Sequence, residues 1–200
     1  MIRPYRPEDR AAVAEICVLT GDAGGDSRER WPDPDLLPSI FALPYVDHEP
    51  ELAFVLDDGG RAVGYVLGTA DTQAFVKWFR EEWLPPLVER YPLPEQQTTQ
   101  HDWLVGLLHN PERMQVDEVA DHPAHLHIDL LPAYQGAGHG RGLMTAFLRA
   151  LGEQGVPRVH LQMDPHNTKA RAFYDRLGFH EIAVAGFPDG AFLGRDTIAP

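Results

Sequence analysis

The chain reads as one α/β domain built on a single mixed central sheet, and three stretches carry that reading. Leu126, Ile128 and Leu130 alternate with polar residues as a half-buried strand does. That run stops at Pro132, and a Gly-rich turn then opens into an apolar-periodic helix marked by Leu143, Phe147, Leu148 and Leu151. Asp57-Asp58-Gly59-Gly60 lies between two apolar runs, residues 52–56 and 62–69, as a hairpin turn does. Arg158–Met163 supplies a further strand directly after the glycine-turn helix. A chain of 200 residues is an ordinary size for one domain with its own core.

The remaining elements follow in order. Residues 2–5 form a first strand. Pro7-Glu8-Asp9 opens a helix, because proline is tolerated in the first turn and acids there complement the helix dipole. Residues 11–19 continue it, with Val13, Ile16 and Cys17 at core spacing. Residues 21–34, rich in Gly, Asp and Pro, form a loop. Residues 71–123 separate the hairpin from the strand before the glycine turn. They hold one helix with Phe75, Trp78, Phe79 and Glu82, ended by Pro85-Pro86, and a second with Trp103, Leu104 and Leu107. Residues 180–185 and 191–195 close the sheet around a Gly-Phe-Pro-Asp-Gly turn, and no internal repeat interrupts the order.

Composition narrows the partners. With 17 Lys and Arg against 30 Asp and Glu, the net charge of -13 excludes a nucleic-acid partner, since duplex binding rests on neutralising phosphates. An acidic surface attracts cationic amines or basic peptides, or serves solubility alone. The single cysteine, Cys17, rules out an internal disulfide framework and suits a reducing compartment. No apolar h-region follows the N-terminal charges, and no apolar run nears the roughly twenty residues of a membrane span. A soluble cytoplasmic protein is expected. Ten histidines invite a metal reading, but neither HExxH nor a Cys/His zinc spacing is present, so no metal is expected.

The glycine turn carries the chemistry. A helix N-terminus presents unpaired N–H groups and the positive end of the helix dipole, and Gly136, Gly138 and Gly140 let the backbone approach a ligand closely. A phosphate-bearing cofactor fits there. The turn is neither G-x-x-x-x-G-K-[ST] nor a dinucleotide fingerprint. It reads Gln135-x-x-Gly138-x-Gly140 after Leu130-x-Pro132, with Asn167…Tyr174…Leu177-Gly178-Phe179 about thirty residues on. This combination resembles the GCN5-related N-acetyltransferase (GNAT) superfamily.

The resemblance implies about seven strands, a sheet splayed between strands 4 and 5, an inserted helical segment over residues 71–123, and acetyl-CoA as cofactor. It implies that backbone groups near Leu130 and Leu131 hold the pantetheine and polarise the thioester carbonyl. Gln135, Gly136, Gly138 and Gly140 then hold the pyrophosphate, with Phe173 and Tyr174 beside the pantetheine. Arg141 faces a phosphate or is a solvated helix arginine. Asn167 hydrogen-bonds the pantetheine amide or caps its helix. The Tyr174 phenol donates a proton to the leaving thiolate, or only packs.

The general base stays open at this stage. Strand alternation places His125, His127 and Asp129 on one face, so Asp129 or His127 can take the amine proton, directly or through water. The same residues also read as a self-satisfied polar cluster, and Glu81, Glu82 and Asp102 in the insertion are further candidates. The insertion is the natural wall of an acceptor site, although each aromatic in it taken singly reads as core. Segments such as Gly64-Tyr-Val-Leu-Gly-Thr-Ala-Asp71, Trp83-Leu-Pro-Pro and Gly186-Phe-Pro also resemble the acetyltransferase-like C-terminal domains of animal O-GlcNAcases. Those domains have a degraded phosphate loop, whereas Gln135, Gly138 and Gly140 are intact here. The expected activity is acetyl transfer to a primary amine on a small molecule or peptide; the alternative is a catalytically silent CoA-binding module.

Overall fold

Sheet formation follows the apolar runs and the hairpin between them. Strands β2 (Phe54–Asp58) and β3 (Arg61–Thr69) pair antiparallel around Gly59-Gly60, and β1 (Ile2–Pro4) adds to the outer edge of β2. β4 (Ala124–Leu130) pairs antiparallel with β3 over its whole length, Gly64 opposite Leu130 and Thr69 opposite His125. β5 (Arg158–Met163), β6 (His180–Ile182) and β7 (Ala191–Asp196) complete seven strands in the order β1-β2-β3-β4-β5-β7-β6. These descriptions come from a computed structural model covering residues 1–186 and 190–198. Phe187, Pro188 and Asp189 of the expected Gly-Phe-Pro-Asp-Gly turn lie outside the described residues.

One pairing positions everything else. β4 and β5 are parallel and joined only at Ala124–Val159 and His125–His160, after which they part. The rest of β4, through Leu130, has no strand on that side. The splay expected between strands 4 and 5 is therefore present.

Two cores cover the two faces. On one, α1 (Arg10–Thr20), α2 (Leu36–Phe41), α3 (Leu43–His48), α4 (Thr72–Trp78) and α5 (Gln100–Leu108) bury Ile16, Tyr45, Tyr65, Leu67, Phe75 and Leu104. On the other, α6 (His139–Glu153) and α7 (Thr168–Asp175) bury Leu126, Leu143, Phe147, Leu161 and Tyr174. The apolar stripe of α6 is the one its 3.6-residue spacing predicts. The helix expected through Glu82 stops being α-helical at Trp78 and continues as a π-helical turn, Phe79–Trp83, before Pro85. The strand expected over residues 180–185 ends at Ile182. No described helix is long and apolar enough to cross a membrane.

Candidate active site

The splay opens into a cleft of about 1760 Å³ lined from both faces of the sheet. Which backbone groups face it follows from register. Leu131 N–H donates to the Val63 carbonyl at 3.0 Å, so residues of β4 with the same parity, Asp129 and His127, turn their peptide groups toward β3. Ile128 and Leu130 turn theirs the other way, into the gap. Of the two residues expected to hold the pantetheine, Leu130 turns its N–H into the gap and Leu131 turns its N–H to β3. The Leu131 N–H is taken by β3 and its carbonyl accepts from Tyr134 N–H at 2.8 Å, so Leu131 has no free N–H to offer. Ile128, which the sequence reading passed over, turns its peptide groups into the gap.

The Gly-rich loop before α6 leaves donors unused. Gly136 and Gly138 have φ of 77° and 85°, the left-handed region, and Gly138 is the N-cap of α6. A Cβ at either would meet no atom within 4 Å, so glycine is required there by backbone conformation and not by crowding. The N–H groups of Gly136, Ala137 and Gly138 have no acceptor among the described residues, and first-turn amides of a helix have none within it. Gly140 is different. It is buried in the first turn, and a Cβ on it would press the Phe173 ring at 3.1 Å. Gln135 Nε2 donates to the Leu130 and Gly24 carbonyls at 2.8 and 3.2 Å, tying the loop to β4 and to the loop after α1.

α7 closes the cleft from the other side. Asn167 Oδ1 accepts from Ala170 N–H at 3.0 Å, so it caps the helix, while its amide NH₂ has no partner among the described residues. Of the two expected roles of Asn167, capping is the one its Oδ1 performs, and its NH₂ is left unengaged among the described residues. Arg141, Lys169 and Arg176 line the same region without a carboxylate partner among the described residues. Tyr174 is buried against Phe173 and Phe179, and its hydroxyl has no described hydrogen-bond partner. Burial, and then the Asp129 charge, pushes its phenol above the usual range.

Asp129 stands at the bottom of the cleft. Tyr65 O–H donates to its Oδ2 at 2.7 Å. Burial raises its carboxyl above the usual carboxylate range, and the hydrogen bond from the Tyr65 hydroxyl opposes that rise. On the same strand face His125 and His127 flank Tyr45, from α3, whose hydroxyl lies 2.8 Å from His125 Nε2 and 3.1 Å from His127 Nε2. The proton order can be assigned. Thr72 donates its one proton to the Pro123 carbonyl, so His125 Nδ1–H must donate to Thr72 Oγ1, and Nε2 accepts from Tyr45. Tyr45 oxygen then accepts from His127 Nε2–H, which leaves the His127 lone pair on Nδ1. Burial first, then Arg113, lowers His127 to about 4, so the ring is neutral at neutral pH.

The insertion divides between bulk and site. Phe75 and Phe79 are wholly buried and Trp78 packs on His48, so the first half is core. Trp103 and Leu107 of α5, with Asn110, Arg113 and Met114 after it, line the cleft. Glu81 and Glu82 are exposed and outside it. Asp102 accepts from Thr98 and Thr99 N–H at 3.0 and 2.8 Å in a capping box, which makes it a helix cap and no base. The described residues contain no cluster of three or more metal-ligating side chains.

Comparison with known proteins agrees with this geometry. The chain is similar to the protein O-GlcNAcase of Rattus norvegicus, 28% identical over 97% of this chain and 22% of that protein. It therefore spans about a fifth of the length of that relative. The crystal structure of SsHAT superposes with a TM-score of 0.96 at 60% identity, covering 100% of this chain and 98% of that one. An acetyltransferase from Salmonella typhimurium, yncA, solved with its cofactor acetyl-CoA, shares the fold at a TM-score of 0.57 and 16% identity, over 100% and 95% of the two chains. The family model of GNAT acetyltransferases, a family whose acetyl donor is acetyl-CoA, matches residues 19–179, and the chain belongs to that family.

Proposed function

We propose that the protein is an acetyl-CoA-dependent N-acetyltransferase acting on a primary amine. The observation that carries this is the splay itself: unused N–H groups of Gly136 to Gly138 and the gap-facing backbone of Ile128 and Leu130 lead to Asp129 and Tyr174 in one cleft. Donors aimed into the cleft suit a phosphate chain at one end and a polarised carbonyl at the other.

Acetyl-CoA, when bound, supplies the acetyl group as a thioester. The loop amides with Arg141, Lys169 and Arg176 would hold its phosphates, and Asn167 NH₂ and the Leu130 and Ile128 peptides its pantetheine arm. Asp129 takes the proton of the acceptor ammonium, whose pKa near 10.4 keeps it charged at neutral pH. We assign that role to Asp129, whose carboxylate Tyr65 orients in the cleft, and not to His127, whose ring is held by Tyr45. Tyr174 holds a proton at its hydroxyl for the departing sulfur. Its raised pKa keeps it protonated until that charge develops.

Calorimetry with acetyl-CoA, followed by free-thiol release over a panel of primary amines, tests the reading. Binding and amine-dependent thiol release are expected. Tight binding with no release from any amine would replace the reading with the silent binding module, and absence of binding would overturn both.

A further inference from the structure

Of the arginines at or near this cleft, Arg113 is the one on the acceptor side, and no carboxylate answers it. Its guanidinium is half-buried, lies 5.6 Å over the Phe41 ring, and has neither an ion pair nor a side-chain hydrogen bond among the described residues. This is notable in a chain with 30 carboxylates to 17 cationic side chains, where Arg3, Arg10, Arg61, Arg80, Arg90 and Arg158 all pair with acids. Its neighbour Glu112 is already paired with Arg80. Burying a charge without a partner is costly, so an anion completes such a site.

Position separates Arg113 from the cofactor. The Phe41 ring that it covers meets the His127 ring edge-on at 5.8 Å, and Met114 beside it touches the Tyr45 hydroxyl at 3.8 Å. His127 lies three residues before Leu130, about 10 Å back along β4 from the strand end that leads to the Gly-rich loop. On the same strand face Asp129 is two residues from His127, about 7 Å away. The acceptor half of the cleft therefore has an acidic pole at Asp129 and a basic pole at Arg113. Phe41, Trp103, Leu107 and Met114 form apolar walls around it.

We infer that the acceptor is an amine with an apolar body that also carries an oxyanion group, carboxylate or phosphate, and that Arg113 binds this group while Asp129 faces the amine. The inference rests on the acetyltransferase reading above and adds the substrate class. The negative net charge would by itself favour purely cationic amines; the lone guanidinium reverses that preference locally.

Matched acceptors test it: phenylalanine against phenethylamine for a carboxylate, and phosphoethanolamine against ethanolamine for a phosphate. In wild type, kcat/KM for the member that carries the oxyanion should exceed that of its partner without one by about 10- to 100-fold in at least one pair, as a charge-assisted hydrogen bond supplies. Arg113→Gln should collapse that ratio toward one, and Arg113→Lys should restore part of it. Acetyl-CoA affinity equal to wild type in both variants shows that the fold is intact. A ratio that is the same in wild type and R113Q, with amines turning over, overturns the inference and spares the enzyme reading. If no amine turns over, calorimetry of the same pairs on the CoA-loaded protein decides: an anion preference lost in R113Q supports Arg113, and no preference in wild type overturns it.

Discussion

The Tyr65 hydroxyl donates to Asp129 Oδ2 at 2.7 Å across the β3–β4 pair, where the two residues face each other in register. That bond keeps charge on a carboxylate that burial drives toward its neutral form. The charged form is useful only as a base, so it is a cost to the fold. Asp129→Asn retains an oxygen for the Tyr65 proton and removes the buried charge. A raised carboxyl binds its proton more tightly in the folded state, so wild-type stability falls as pH rises from the unfolded pKa through the folded one, and the loss persists above it. Asp129→Asn should therefore melt higher than wild type at neutral pH, while amine-dependent turnover drops by roughly 10²–10⁴-fold. Thermal melts and steady-state rates on the same preparation check it, and a lower melting temperature would count against a destabilising charge.

Tyr174 offers a cleaner separation of chemistry from packing. Tyr174→Phe removes a hydroxyl with no described protein partner and keeps the ring between Phe173 and Phe179. Melting temperature and acetyl-CoA affinity should change little. The single-turnover rate should fall by about 10²–10⁴-fold, because the lost interaction strengthens mainly in the transition state. A full rate in this variant would leave Tyr174 as a packing residue.

What could be read from the sequence divides along physical lines. Period-2 alternation placed His125, His127 and Asp129 on one face, and the glycine turn marked the α6 N-terminus, because both signals are local. α2 and α3 gave no such signal. Each is only six residues long, no side chain caps them, and they form because Leu36, Ile40 and Tyr45 are buried by distant elements. Tyr45 meets His125 across 80 residues of chain, and Arg113 meets Phe41 only through the fold, so neither belonged to any motif. The orientation of Leu131 shows the same limit. Which strand residues turn their amides into the splay depends on pairing parity, and a single strand does not display its partner's register.

Arg3 ties the N-terminal strand to the sheet through two acids. Its guanidinium contacts Asp9 and Asp57, each at 2.6 Å, with all three side chains mostly covered. Arg3 lowers Asp9, and the Gly60 N–H followed by Arg3 lowers Asp57. Depressed carboxyls stabilise the fold fully above their unfolded pKa near 3.9 and lose that contribution as pH falls through the folded values. Stability of the wild type should thus decline below about pH 4. Arg3→Met should be less stable at pH 7 and show a shallower decline in acid. Denaturant midpoints across pH 2–7 measure both, and parallel curves for the two proteins would remove Arg3 from the linkage.

The phosphate loop makes its own distinction between two glycines that look alike in sequence. Gly138 sits at φ 85° with open space where a Cβ would go, whereas Gly140 is buried under Phe173. Gly138→Ala should cost about 1–2 kcal/mol of backbone strain at the α6 N-cap. Relaxing that strain turns the loop amides away, so acetyl-CoA affinity should fall while the cores, which the loop does not enter, keep their packing. Gly140→Ala should act differently, pushing the Phe173 ring and with it the neighbouring Tyr174, so its main loss should be in turnover. Calorimetry with acetyl-CoA and single-turnover rates on both variants separate the two. Unchanged affinity in a folded Gly138→Ala protein would show that the pyrophosphate binds elsewhere.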